Sequence, residues 1–264
     1  MSSRPAGPRL WVWLMLVLAL PLLPVGCGEK SGDENRLLLY CGAGLRPPVA
    51  EIVRTFNREH GTVVESDYAG SEVLISRIKL TGRGDLYMPG DVHYVELAEK
   101  EGLITSTHTA CYFVPVILVR KGNPKGIRTL RDLVRPDVSL GLGDPKACAI
   151  GRKAAEIFAK NDIGEDQTNE RVVFRSLTVN ELGVHVDVGK VDAAIVWDAV
   201  AAQYADSTDV VPIPREENVI STVAVGVLSF SKQPELAKKF VDFVTSERGG
   251  AIFQKHHYAT ELPE

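Results

Sequence analysis

Short apolar runs alternate along most of this chain with amphipathic stretches of helical period. Leu37 to Cys41 is a continuous apolar run, as a buried parallel strand requires. Gly42-Ala43-Gly44 supplies a turn, and Val49, Ile52, Val53 and Phe56 then mark one face of a helix that Gly61 ends. Val63 to Tyr68 reads as a second strand. It leads through Ala69-Gly70 into a helix carrying Val73, Leu74, Ile75, Ile78 and Leu80, with Ser71 placed as its N-cap. Asp85 to Met88 is a short third strand stopped by Pro89-Gly90, and a helix with Val92, Val95, Leu97 and Ala98 follows. This βαβα opening predicts an α/β sheet.

Tyr112 to Arg120 is strongly strand-like, and its internal Pro115 marks an edge or a change of sheet. After a short helix near Thr129 to Leu133, the same grammar repeats. Ser139 to Leu142, Val172 to Phe174 and Ala193 to Trp197 are strands, and a helix carries Ile150, Ala154, Ile157 and Phe158. Val223 to Phe230 reads as a return strand. Pro234 then opens an amphipathic helix with Leu236, Phe240, Phe243 and Val244, and a last helix runs to Tyr258. The pattern predicts two α/β lobes, 36–111 with 231–264 and 112–230. Their cleft lies at the carboxyl ends of the strands, where open α/β sheets favour ligands.

The first 26 residues have a different character. Arg4 and Arg9 precede an apolar run from Leu10 to Leu23, too short for a comfortable membrane span, and Pro24-Val25-Gly26-Cys27 closes it. This is the layout of an export signal. Cys27 directly after Val-Gly matches a lipobox, apart from Pro24 where that motif usually has Leu. We expect lipid attachment at Cys27 and a polar tether through residue 35, which makes the protein a cell-envelope lipoprotein.

The net charge of -4 and the lack of a basic block argue against nucleic acid as a partner. Cys41, Cys111 and Cys148 remain, with no Cys-x-x-Cys spacing for a metal. One disulfide plus a free thiol, or three buried thiols, both fit.

Four strand-to-helix junctions carry the chemistry: Gly42–Leu45, Gly70–Ser71, Ala147–Gly151 and Thr178–Glu181. Small residues there permit close backbone approach, and each helix start has unpaired N–H groups that suit a small oxyanion. Three of the four lack Lys or Arg; Arg46, beside the first, reads as surface. No P-loop or Gly-x-Ser-x-Gly is present, and His93, His185 and the His256-His257 pair form no convincing catalytic or metal set.

Several short motifs then coincide in order and spacing. They are Leu-Tyr-Cys-Gly-Ala-Gly-Leu (39–45), Tyr-Ala-Gly-Ser (68–71), Gly-Asp-Leu (84–86), Gly-Asp-Pro (143–145), Gly-Lys-Val-Asp-Ala-Ala-Ile-Val-Trp (189–197) and Phe-Gln-Lys-His-His-Tyr (253–258). With them, the chain from Arg36 onward resembles the periplasmic molybdate/tungstate-binding proteins of ABC importers. The resemblance implies a type II, Venus-flytrap fold closing on a tetrahedral dianion, with delivery to an ABC permease, no catalysis, no cofactor and a monomeric state.

Carried over, the ligand positions are Gly44, Ser71, the backbone at Ala149 and Ile150, Val179 and Trp197. Gly44 stands where the family has serine and Trp197 where bacterial members have tyrosine, so two hydroxyl donors are altered. Glu181 aligns with a glutamate through which archaeal members coordinate the metal directly, but Thr178-x-x-Glu181 equally fits a capping box. Two other readings remain: a binding protein for sulfate or phosphate, and an exported enzyme using Cys41 or Cys148 with His93 or His185.

Overall fold

The computed structural model describes residues 35–263. The expected export signal, the lipidation site Cys27 and nearly all of the tether lie outside them.

Two five-stranded sheets organise these residues. The first holds β1 (Arg36–Gly42), β2 (Val63–Ala69), β3 (Leu86–Met88), β4 (Ile104–Phe113) and β10 (Ser221–Leu228), in the order β2-β1-β3-β10-β4. The second holds β5 (Pro115–Arg120), β6 (Leu140–Gly143), β7 (Val172–Ser176), β8 (Ala193–Trp197) and β9 (Thr208–Pro212), in the order β7-β6-β8-β5-β9. Strands β1, β2 and β3 run parallel, as do β6, β7 and β8. One antiparallel neighbour then extends each set: β10 beside β3 and β5 beside β8. The helices are α1 (Arg46–His60), α2 (Ser71–Thr81), α3 (Val92–Lys100), α4 (Ala149–Lys160), α5 (Glu165–Asn169), α6 (Val179–Asp187), α7 (Asp198–Ala201), α8 (Pro234–Val244) and α9 (Glu247–Lys255).

The helical stripes behave as their spacing requires. Val49, Ile52 and Phe56 of α1 are buried, and Phe56 meets Phe240 of α8 edge-on at 5.1 Å between ring centres. Gly61 ends α1 in the left-handed region (φ 62°), where an L side chain would be strained.

The expected strand 112–120 is two strands. The chain leaves the first sheet at Phe113 and enters the second at Pro115, so the proline marks the change of sheet. Val114 is held there from both sides: its N–H donates to Asp198 Oδ1 (3.3 Å), and its carbonyl accepts from Asp198 N–H (2.8 Å). The return strand β10 pairs antiparallel with β3 and β4, so it lies with the first lobe's strands rather than closing the second.

Candidate functional site

In each sheet a central strand, β1 or β6, has its two parallel partners on opposite sides. The chain connections therefore diverge beyond the strand's carboxyl end and leave a crevice. The two crevices face each other. Gly42 ends β1 and Ala43–Gly44 follow it, Ala69 ends β2 and Gly70–Ser71 follow it, Gly90 follows β3, Cys148–Ile150 follow β6, Thr178–Val179 follow β7, and Trp197 ends β8; together with Phe113 they wall one cavity. The carboxyl ends of all six parallel strands thus meet at one point. Only about 20 Å³ of the cavity admits the centre of a water-sized sphere, close to the roughly 10–15 Å³ that one enclosed water requires. As the lobes stand here, such a space suits a group of a few atoms.

The lobes touch around it. Glu72 N–H donates to the Ala147 carbonyl at 3.2 Å, joining the start of α2 to the loop before α4. A methyl on Gly70 would stand 2.3 Å from the Ala147 carbonyl oxygen and 2.6 Å from that of Leu177. Only glycine permits this approach.

The donors are neutral. The lining residues include no Lys, Arg, His, Asp or Glu. Gly42, Gly70, Cys148 and Thr178 precede the 3-10 turn Ala43–Leu45, α2, α4 and α6, and none makes a side-chain cap. First-turn N–H groups have no acceptor within their own helix, and the helix dipole adds partial positive charge there. Outside the cavity wall, Asp91 and Ser246 do cap α3 and α9.

Ser71 is the first residue of α2 rather than its cap, which is Gly70. Its buried hydroxyl oxygen accepts from Gly90 N–H (3.1 Å), which leaves its hydrogen available as a donor. Behind the cavity, Trp197 stacks on Phe113 with ring centres 4.6 Å apart and planes 7° apart. The Tyr258 hydroxyl donates to the Gly44 carbonyl and fixes the turn after β1.

Gly44, Ser71, Ala149, Ile150, Val179 and Trp197, six of the seven expected positions, stand on this wall. Glu181 does not. It is exposed, and its Oε2 accepts from Leu177 N–H at 3.1 Å, so the carboxylate satisfies the backbone ahead of α6 and is turned from the cavity. The donor is one residue ahead of the N-cap Thr178, so the geometry is a local backbone contact rather than the capping box that the spacing allowed. Arg46 is exposed, with its guanidinium 4.4 Å over the Tyr68 ring. Gly90 and Phe113 are wall residues that the sequence reading did not mark. Pro89-Gly90, read only as a strand stop, was the available signal for the first.

The matching family model, described as bacterial extracellular solute-binding protein, covers residues 37–259. The chain belongs to this family. A Haemophilus influenzae relative named as a binding protein is 33% identical over 220 residues, 82% of this chain and 88% of its own length. The molybdate-binding protein ModA of Mycobacterium tuberculosis is 26% identical over 265 residues, covering 94% of this chain and 98% of the relative. Among solved structures, the sulfate-binding protein SubI of the same organism superposes with a TM-score of 0.76 at 21% identity, over 87% of this chain and 88% of that one. The fold is therefore that of two-lobed periplasmic binding proteins.

Members of this solute-binding family carry ligands and do not transform them, and the thiols agree with that role. Burial pushes the Cys148 thiol up to about 11, and pushes Cys41 and Cys111 well above the ordinary range. A catalytic cysteine needs the opposite shift. All three thiols are free and buried. We expect iodoacetamide to leave them unmodified at neutral pH while the protein is folded, and to label all three after denaturation. Rapid labelling of Cys148 in the folded protein would contradict this. His256 pairs with Glu51 at 2.8 Å, and among the described residues no cluster of three or more His, Cys, Asp or Glu could hold a metal.

Proposed function

We propose that this solute-binding protein captures molybdate or tungstate and presents it to an ABC permease, tethered to the membrane by lipid on Cys27. One observation carries the reading: a cavity of few-atom size at six strand ends, walled by neutral donors and free of charged side chains. The likeness to the M. tuberculosis molybdate-binding protein supports it.

A permanently dianionic tetrahedral oxyanion needs donors on every side and no acceptor. Neutral N–H and O–H groups hydrogen-bonding a full charge in a desolvated site are each worth about 1.5–3 kcal/mol. Hydrogen phosphate would bring its own proton, and the wall offers no carboxylate to receive it. In this reading Ser71 supplies a hydroxyl donor, and Ala149, Ile150 and Val179 supply helix-start N–H groups. Gly44 contributes its backbone, and Trp197 closes the far side. The protein acts as a monomer.

Sulfate is the competing cargo, and Gly44 bears on the choice. A Cβ there would lie 2.9 Å from Val179 Cγ1 and 3.2 Å from Trp197 Cδ1, so the glycine leaves width that a larger residue would remove. Gly44→Ala is expected to weaken molybdate binding by about tenfold, corresponding to roughly 1–3 kcal/mol of overpacking. The smaller sulfate should lose less.

Trp197 also gives the test. The chain has three tryptophans, and the other two, Trp11 and Trp13, precede Gly28. A soluble form starting at Gly28 therefore carries a single indole, in the cavity wall. Its fluorescence should change saturably with molybdate and tungstate at far lower concentrations than with sulfate. A response to sulfate alone would reassign the cargo.

A further inference from the structure

Asp91 is 1% exposed and stands in the first lobe at the start of α3, yet two cations of the second lobe converge on it. Arg152 Nη2 lies 2.8 Å from Asp91 Oδ1, and Lys153 Nζ lies 3.0 Å from Oδ2. From its own lobe the carboxylate accepts the His93 N–H (3.0 Å) and the Ser221 hydroxyl. Arg152 and Lys153 belong to α4, one turn beyond Ala149 and Ile150, whose backbone walls the cavity. The cross-lobe ion pairs therefore grip the very helix that brings second-lobe donors to the site.

We propose that Asp91, Arg152 and Lys153 form a latch between the lobes that sets how long a captured solute is held. The release half of this proposal rests on the solute-capture reading above; the latch itself does not.

The charges support it. Glu156, also on α4, holds both cations as well, Lys153 at 3.1 Å, so the closed cluster has two cations and two carboxylates. When the lobes part, Arg152 and Lys153 keep Glu156, and Asp91 keeps only its own lobe's donors. Burial by itself would raise the pKa of Asp91. The Ser221 hydrogen bond and the nearby Lys153 and Arg152 outweigh that and hold it below the ordinary carboxylate value, so Asp91 is charged at neutral pH. Removing the carboxylate leaves a cationic excess that closure would bury, with the Lys153 side chain only 9% exposed. An uncompensated buried charge is costly, and the loss of one partner of a buried pair acts mainly on dissociation. The latch also accounts for a cavity that has no basic wall residue although α4 carries two cations beside it. Asp91 draws both to itself.

The test uses two variants, one from each side of the cleft: Asp91→Asn, which keeps a side chain able to cap α3, and Lys153→Met. Each is made in the soluble form starting at Gly28, with spin labels attached through Ser76→Cys on α2 and Val184→Cys on α6. Both label positions are exposed. Without any solute, the wild-type distance distribution should contain a short-distance, closed population that both variants lose. A wild type without that population, or variants that retain it, overturns the latch. With molybdate, release followed by Trp197 fluorescence should be at least about tenfold faster in each variant; unchanged release overturns the proposal's second half. Failure of molybdate to bind would sink the cargo assignment and leave the solute-free distance result standing.

Discussion

Gly70→Ala is expected to weaken solute capture about ten- to hundredfold while leaving the ligand-free protein as stable as before, or slightly more so. The backbone at Gly70 is ordinary extended chain (φ -66°, ψ 148°), so alanine costs nothing locally. Replacing glycine at such a position typically stabilises by about 0.4–1 kcal/mol through the unfolded chain. The conflict exists only across the cleft. The new methyl would meet the carbonyl oxygens of Ala147 and Leu177 at 2.3 and 2.6 Å, and both are backbone atoms that cannot swing aside. Overpacking of this kind costs roughly 1–3 kcal/mol, or about one to two decades of affinity. Dissociation constants and melting temperatures of the two proteins, measured without and with molybdate, check it. Equal affinities would mean that closure does not bring these surfaces together.

Ser71→Ala should have a loss of similar size for a different reason. The Gly90 N–H occupies the acceptor side of the Ser71 oxygen, so the hydroxyl hydrogen is directed elsewhere, and the residue lines the cavity. A hydrogen bond to a full charge contributes about 1.5–3 kcal/mol, which predicts dissociation constants roughly 10- to 150-fold higher. Unlike the glycine variant, this one should also lower the melting temperature. Gly90 N–H loses its acceptor in a buried place, a cost of about 1–3 kcal/mol. The variant still folds, because Leu74, Ile75 and Ile78 continue to pack α2 against the first sheet. Unchanged affinity for molybdate would remove Ser71 from the site.

Much of this site was legible in the chain because its parts are local. Each strand-to-helix junction announces itself within a few residues, by an apolar run, a small-residue turn and the onset of helical period. The parallel-sheet rule then brings such junctions to one edge. What lay beyond the sequence reading depends on contacts between distant segments. Asp91 and Arg152 are 61 positions apart, and nothing in either neighbourhood signals the other. Ser221–Leu228 has the pattern of any buried strand, so its place between β3 and β4 follows from pairing alone. Beyond the buried Ile104, the stretch Thr-Ser-Thr-His-Thr of β4 is a largely exposed edge with little hydrophobic alternation, so apolar runs do not mark it. Glu181 shows the limit most sharply: a capping-box carboxylate and a metal-ligating one can occupy the same spacing, whereas in the structure the side chain accepts from Leu177 N–H, one residue ahead of the N-cap.

The central claim is that six strand ends form a neutral-donor cradle for a tetrahedral oxyanion of the molybdate class. Calorimetric titration of the tag-free protein starting at Gly28 with molybdate, tungstate, sulfate and phosphate tests it most directly. The account predicts one-to-one binding of molybdate and tungstate, much weaker sulfate and no phosphate. Phosphate bound as tightly as molybdate, or no heat from any of the four, would contradict it.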